Sequence, residues 1–200
     1  LPPLPPYIKR KKTSEQQNQE DRERYQTCYA SVHGAIAAPT AGLHFTPEVL
    51  EAFRKRGTQV FELTLHVGLG TFSAVEDSDL RKHRMHSEHF QISEAVLNDL
   101  LEMKSEGKPI IAVGTTVVRV LESLALENYQ RHSGWTDIFI YPPYEFRLVD
   151  GMLTNFHLPN STLMMLVSAF CGRTNLLRAY QEAVIERYRF FSYGDCMLIH

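Results

Sequence analysis

Pro109-Ile110-Ile111-Ala112-Val113-Gly114-Thr115-Thr116-Val117-Val118-Arg119-Val120-Leu121-Glu122-Ser123-Leu124-Ala125 is the stretch that decides the fold. Pro109 to Val113 is a short, unbroken apolar run, the kind of strand found inside a covered sheet. Gly114-Thr115-Thr116 then turns directly into a helix carrying Val117, Val118, Leu121, Leu124 and Ala125. Towards the C-terminus, Thr136 to Tyr141 reads as a second buried strand. Asn160-Ser161 starts a helix that holds Leu163 to Phe170 and closes at Gly172, and a last helix runs from about Thr174 to Arg187. Towards the N-terminus, Ser93 caps a helix through Ser105 with Val96, Leu97, Leu100 and Leu101 on its buried stripe. Met85 to Ile92 and Gln59 to Val67 alternate as strands, and Thr46-Pro47-Glu48 opens a short helix that ends at Gly57. Strands alternating with helices predict an α/β domain. Its sheet is expected to be mostly parallel, or an open barrel-like α/β arrangement, with ligands at the carboxyl ends of strands.

The 200 residues suffice for a sizeable core, and the 44% apolar and 22% charged shares exclude wholesale disorder. The net charge of −2 gives no global attraction to nucleic acid, so any anion contact must be local, as at Lys9-Arg10-Lys11-Lys12. Cys28, Cys171 and Cys196 form neither a disulfide framework nor a zinc knuckle, which fits a reducing compartment. The longest apolar run is too short to span a bilayer, so a soluble, cytoplasmic protein without a membrane partner is expected. Residues 1–24, Pro-rich and then charged, read as a flexible connector, and 25–200 as the α/β domain.

Four connections carry more Gly, Thr, His and Asn than a plain turn needs. They are Ala37 to Phe45, Leu65 to Phe72, Ala112 to Thr116 and Leu153 to Pro159, and they are expected to converge on one cavity. Gly114-Thr115-Thr116 opens a helix, where free N–H groups and two hydroxyls suit a carboxylate or phosphate. Simple capping by threonine accounts for the same residues. Arg119, one turn in, reaches that anion in one reading and pairs with Glu122 in the other. His83, His86 and Glu88 allow either a metal-dependent hydrolase or a partly buried His–Glu hydrogen bond. Their spacing does not secure the three convergent ligands of a catalytic zinc, so no metal is expected.

Several long words occur together and in order. They include Tyr25-Gln26-Thr27 with Tyr29-Ala30, Ala38-Pro39-Thr40-Ala41-Gly42-Leu43-His44-Phe45 and Leu65-His66-Val67-Gly68-Leu69-Gly70-Thr71-Phe72. His83-Arg84-Met85-His86-Ser87-Glu88 follows, then Gly114-Thr115-Thr116 with Arg119. Thr154-Asn155-Phe156-His157-Leu158-Pro159 and Arg189-Phe190-Phe191-Ser192-Tyr193-Gly194-Asp195 complete the set. On these words the chain resembles the S-adenosylmethionine:tRNA ribosyltransferase-isomerases of queuosine biosynthesis. The resemblance implies that S-adenosylmethionine serves as a ribosyl-donating co-substrate, with no regenerated cofactor. The acceptor it implies is 7-aminomethyl-7-deazaguanine at the wobble position of a tRNA, giving epoxyqueuosine-tRNA, adenine and methionine. No protein partner is implied. Members of the family are longer. The chain matches their later part, with the early segment and most of an inserted β-barrel domain absent, and the Pro-rich start resembles the return from that insertion. Ala74, Val117, Pro143 and Cys196 stand where the family usually has Pro, Ser, Gly and Ala. A non-catalytic, tRNA-binding remnant is the alternative.

That chemistry needs an acid or base near the purine, an anchor for the methionine carboxylate and a hold on tRNA phosphates. His44, His157 and Asp195 are the acid/base candidates, because each follows or ends a glycine- or asparagine-bearing turn. Gly68, Gly70 and Thr71 suit the ribose, and Thr115, Thr116 and Arg119 the carboxylate. Arg187 and Arg189 are candidates for tRNA phosphates, with Asp195 pairing to one of them as the structural alternative.

Overall fold

Helix α4 (Thr115–Leu126) lies at the centre: ten of its twelve residues are buried, so its apolar stripe widens to almost the whole circumference. In a computed structural model describing residues 4, 8, 14–32, 34–35, 37–67, 80 and 83–200, the other helices are α1 (Glu15–Arg24), α2 (Pro47–Lys55), α3 (Glu94–Ser105), α5 (Thr162–Cys171) and α6 (Arg173–Ile185). Three begin on the expected hydroxyls: Thr46, Ser93 and Ser161 accept from the backbone N–H groups of Val49, Val96 and Met164.

The strands form two small sheets. In the first, β1 (Thr64–His66), β2 (Glu88–Gln91) and β4 (Ser133–Thr136) pair antiparallel, with β2 central. In the second, β5 (Gly151–Asn155) lies between β3 (Ile111–Val113), which is parallel to it, and β6 (Cys196–Ile199), which is antiparallel. The α/β class stands, and the expectation of mostly parallel pairing narrows to β3 with β5. The other three pairings, β1 with β2, β2 with β4 and β5 with β6, are antiparallel. Leu97, Val118, Leu124, Leu148, Met152 and Leu166 are among the residues of the core that joins α4 to both sheets.

Local deviations from expectation have local causes. The strand expected over Thr136–Tyr141 stops pairing at Thr136, because the Thr136 and Ile138 carbonyls accept from the Arg119 guanidinium instead of from a neighbouring strand. The strand expected over Gln59–Val67 pairs only at Thr64–His66. Within the expected connector, α1 forms as a polar helix supported by a Gln19–Glu23 side-chain hydrogen bond of 2.8 Å. Tyr25, fully buried, anchors its end: the hydroxyl lies 3.4 Å from Ser192 Oγ and the ring packs edge-on against Tyr193. Lys9-Arg10-Lys11-Lys12 lies outside the described residues. Among the described residues, no helix is long and apolar enough to cross a membrane.

Candidate functional site

Both sheets send their loops toward one cleft. Strand β3 ends at Val113, and Gly114 turns the chain into α4 at φ +93°, a value where a side chain would be strained. Its N–H donates to Leu153 O of β5 at 2.8 Å, which ties the turn to the neighbouring strand end. Gly114 caps α4 without a side chain, leaving the first-turn N–H groups without a side-chain acceptor, and Thr115 and Thr116 line the cleft beside them.

The opposite wall is formed by Ala38, Pro39, Thr40 and Ala41, where the 3-10 turn Thr40–His44 begins, and His44 at its end lies beyond the lining residues. Gly42 is required there by close approach: a Cβ would sit 2.1 Å from the Tyr29 hydroxyl and 2.7 Å from Thr27 Cγ2. Tyr29 is itself packed in, and burial pushes its phenol up to about 12, assisted by Cys28 and Glu62. The Tyr25–Tyr29 word therefore serves to seat this turn. The continuation of β5, residues 154–158, and the turn at 191–192 complete the walls, with Val67, Ser161 and Leu163. The cleft is open to solvent at its mouth.

Three of the four expected turns meet in this cleft, and the fourth reaches it through Val67. Gly68, Gly70 and Thr71 lie outside the described residues. His66 stays on the first sheet, paired opposite His89 with their rings 5.8 Å apart.

His157 lines the cleft, and its Nε2 is 2.9 Å from the Thr154 hydroxyl. Its backbone N–H donates to the Tyr180 hydroxyl at 2.7 Å. Desolvation of the ring lowers it to about 4, so it is neutral at pH 7. His44 closes the 3-10 turn, and its Nε2 is 3.1 Å from Oδ1 of Asn155, a cleft-lining residue. Asp195 accepts from the Arg189 backbone N–H at 2.7 Å and from the Arg189 guanidinium at 3.3 Å, and its own N–H returns to Arg189 O at 2.7 Å. These bonds, the backbone one foremost, hold its carboxyl below the usual carboxylate range. Arg187 is exposed at φ +60°, just after α6.

Arg119 requires a correction, because it neither lines the cleft nor pairs with Glu122. It is 2% exposed and forms an ion pair with Glu88, which is 1% exposed, while its guanidinium also donates to the carbonyls of His86, Thr136 and Ile138. Glu122 instead accepts from the N–H groups of Arg147, Leu148 and Val149 and from the Tyr144 hydroxyl. Both charges are compensated inside the core, as burial demands. The His–Glu hydrogen bond is replaced by this pair: Glu88 faces Arg119, His86 is exposed, and His83 packs its ring on Phe139. Among the described residues no three His, Cys, Asp or Glu side chains converge as a metal site would require. Asn155 and Tyr180 went unassigned in the sequence. Asn155 lies inside the quoted Thr154–Pro159 word, whereas nothing local marks Tyr180, which arrives from α6.

The fold and the cleft together define an α/β domain with a cleft, lined in part by polar side chains, between the N-terminus of a buried helix and the end of a strand. Residues 2–199 match the family model described as "Queuosine biosynthesis protein", and the chain belongs to that family. It is 56% identical over 199 residues to the S-adenosylmethionine:tRNA ribosyltransferase-isomerase of Natranaerobius thermophilus, covering 98% of this chain and 56% of that protein. The protein of that name from Thermotoga maritima is 54% identical over 198 residues, covering 98% and 57%. The crystal structure of an S-adenosylmethionine tRNA ribosyltransferase from Thermotoga maritima superposes with a TM-score of 0.67 at 48% identity, covering 80% of this chain and 51% of that one. The chain thus spans a little over half the length of these curated relatives.

Proposed function

We propose that the cleft binds S-adenosylmethionine and transfers and isomerises its ribosyl unit onto 7-aminomethyl-7-deazaguanine at a tRNA wobble position, releasing adenine and methionine. The observation that carries this reading is the convergence of Gly114-Thr115-Thr116, Thr154–His157 and the Thr40–His44 turn on one cleft, in a chain 56% identical to an enzyme of that name. The open first turn of α4 and the hydroxyls of Thr115 and Thr116 receive the methionine carboxylate, where unsatisfied N–H groups and the helix dipole favour an anion. Arg119 supports that turn from behind and does not touch the substrate.

The departing adenine needs a proton. Burial keeps His157 from taking up a second proton at pH 7, and Asp195 is held ionised by Arg189 with no proton to give. His44 is the acid/base, as the imidazole held against cleft-lining Asn155 by a 3.1 Å hydrogen bond. Exposed Arg187 and Arg189 meet tRNA phosphates, with Asp195 fixing the Arg189 turn. Gly68, Gly70 and Thr71 approach the ribose. The test is adenine release from S-adenosylmethionine in the presence of substrate tRNA, followed by chromatography. Release that falls at least 100-fold in His44→Gln, with S-adenosylmethionine binding retained, is the expected outcome. A folded chain that binds S-adenosylmethionine and tRNA yet releases no adenine would show it to be a binding remnant.

A further inference from the structure

His44 faces the Asp195 carboxylate, which interacts with it electrostatically, and the side-chain amide of Asn155, which does not titrate. Asn155 is 3% exposed, on the last position of β5, and its side-chain amide bridges two partners. Its Nδ2 donates to Phe191 O at 3.1 Å, and its Oδ1 lies 3.1 Å from His44 Nε2. A backbone carbonyl can only accept, so Nδ2 must face Phe191, and the reversed amide would set oxygen against oxygen. The acceptor does not drift away, because Phe191 N–H donates to Phe156 O at 3.2 Å and binds that turn to the end of β5. With the amide orientation set, Oδ1 faces His44. An amide oxygen carries no proton, so the hydrogen in that bond belongs to Nε2.

We infer that Asn155 is a positioning residue that holds neutral His44 in the Nε2–H tautomer and leaves its Nδ1 as the atom that takes and returns the proton. The atom-level role depends on the reading of the cleft under Proposed function. The tautomer itself does not. An imidazole tied through one nitrogen presents the other in a fixed direction, so the bond sets both which nitrogen is basic and where it points. Asn155 also shares the cleft wall with Thr154 and His157, which places the bond at the edge of the space the substrate would fill.

The test separates the two layers. Long-range proton–nitrogen NMR of the 200-residue chain labelled with 15N-histidine reports each tautomer directly, with the His44 signals identified by their loss in His44→Gln. The expected result is Nε2–H at neutral to alkaline pH, and a predominant Nδ1–H tautomer would overturn the inference without recourse to any variant. In Asn155→Asp the retained oxygen can still accept, and its added charge should raise the His44 titration midpoint by about one pH unit, a tenfold change. The acidic limb of the adenine-release profile should move with it. In Asn155→Leu the acceptor is gone, and the His44 midpoint should not rise. Equal midpoints in the native, Asp and Leu forms would also overturn the inference. If the tautomer is as stated but His44→Gln releases adenine normally, the positioning stands and the catalytic reading of His44 falls.

Discussion

His157 makes the chain acid-sensitive in a way that can be calculated. Its ring is lowered from an ordinary 6.5 to about 4 by desolvation. In the unfolded chain the imidazole protonates near its ordinary value, while the folded state resists the proton. Unfolded molecules therefore bind more protons below about pH 6.5, and stability falls with pH from there until the folded ring titrates near 4. At ~1.4 kcal/mol per unit, the full loss is about 3 kcal/mol, and screening through the residue's exposed edge reduces it to about 2 kcal/mol. The measurement is urea unfolding at half-unit intervals from pH 7.5 to 4 for the native chain and His157→Gln. Glutamine keeps a partner for the Thr154 hydroxyl but carries no titrating group. Carboxylate contributions are common to both proteins, so the difference isolates His157. The native protein should lose about 2–3 kcal/mol more than the variant across that range. Curves that stay parallel within about 0.5 kcal/mol would refute the argument that burial of this ring dominates its titration.

Other consequences can be read by unfolding and binding. Arg119→Met should destabilise by about 3–5 kcal/mol by removing the guanidinium that pairs with buried Glu88, and Arg119→Met/Glu88→Met should recover most of the loss in urea unfolding. Leu124→Ala removes a fully buried side chain from the centre of α4 and should cost about 2–5 kcal/mol in the same assay, with secondary structure by circular dichroism retained. Gly114→Ala forces a side chain onto φ +93° and should cost about 1–3 kcal/mol while weakening S-adenosylmethionine binding, measured by calorimetry. Arg187→Ala should weaken tRNA affinity with a shallower salt dependence and leave the melting temperature unchanged.

Helices α2 to α6 were legible in the residues because their causes are local, whereas α1 formed within the stretch expected to be a connector. Thr46, Ser93 and Ser161 cap the helices that follow them, Gly57 and Gly107 close two of them at positive φ, and Gly172 closes α5, all within a few residues of the effect. The Gly114-Thr115-Thr116 turn could be placed beside a site for the same reason, since strand, turn and helix follow one another in the chain. Strands β5 and β6 escaped notice: each is only four or five residues long, and their identity rests on pairing with segments far away. The partners of charged and polar groups were equally hidden. Arg119 has Glu122 three residues on, yet it pairs with Glu88, because packing around α4 buries both side chains against each other while Glu122 is taken by the N–H groups of Arg147, Leu148 and Val149. His44 and Asn155 stand 111 positions apart, and their hydrogen bond exists because β5 passes the 3-10 turn. Residue types and local order thus determined helices α2 to α6 and the turn that opens α4. Which nitrogen of His44 holds its proton, and which carboxylate neutralises Arg119, became definite only when tertiary packing removed water and brought partners distant in the chain together.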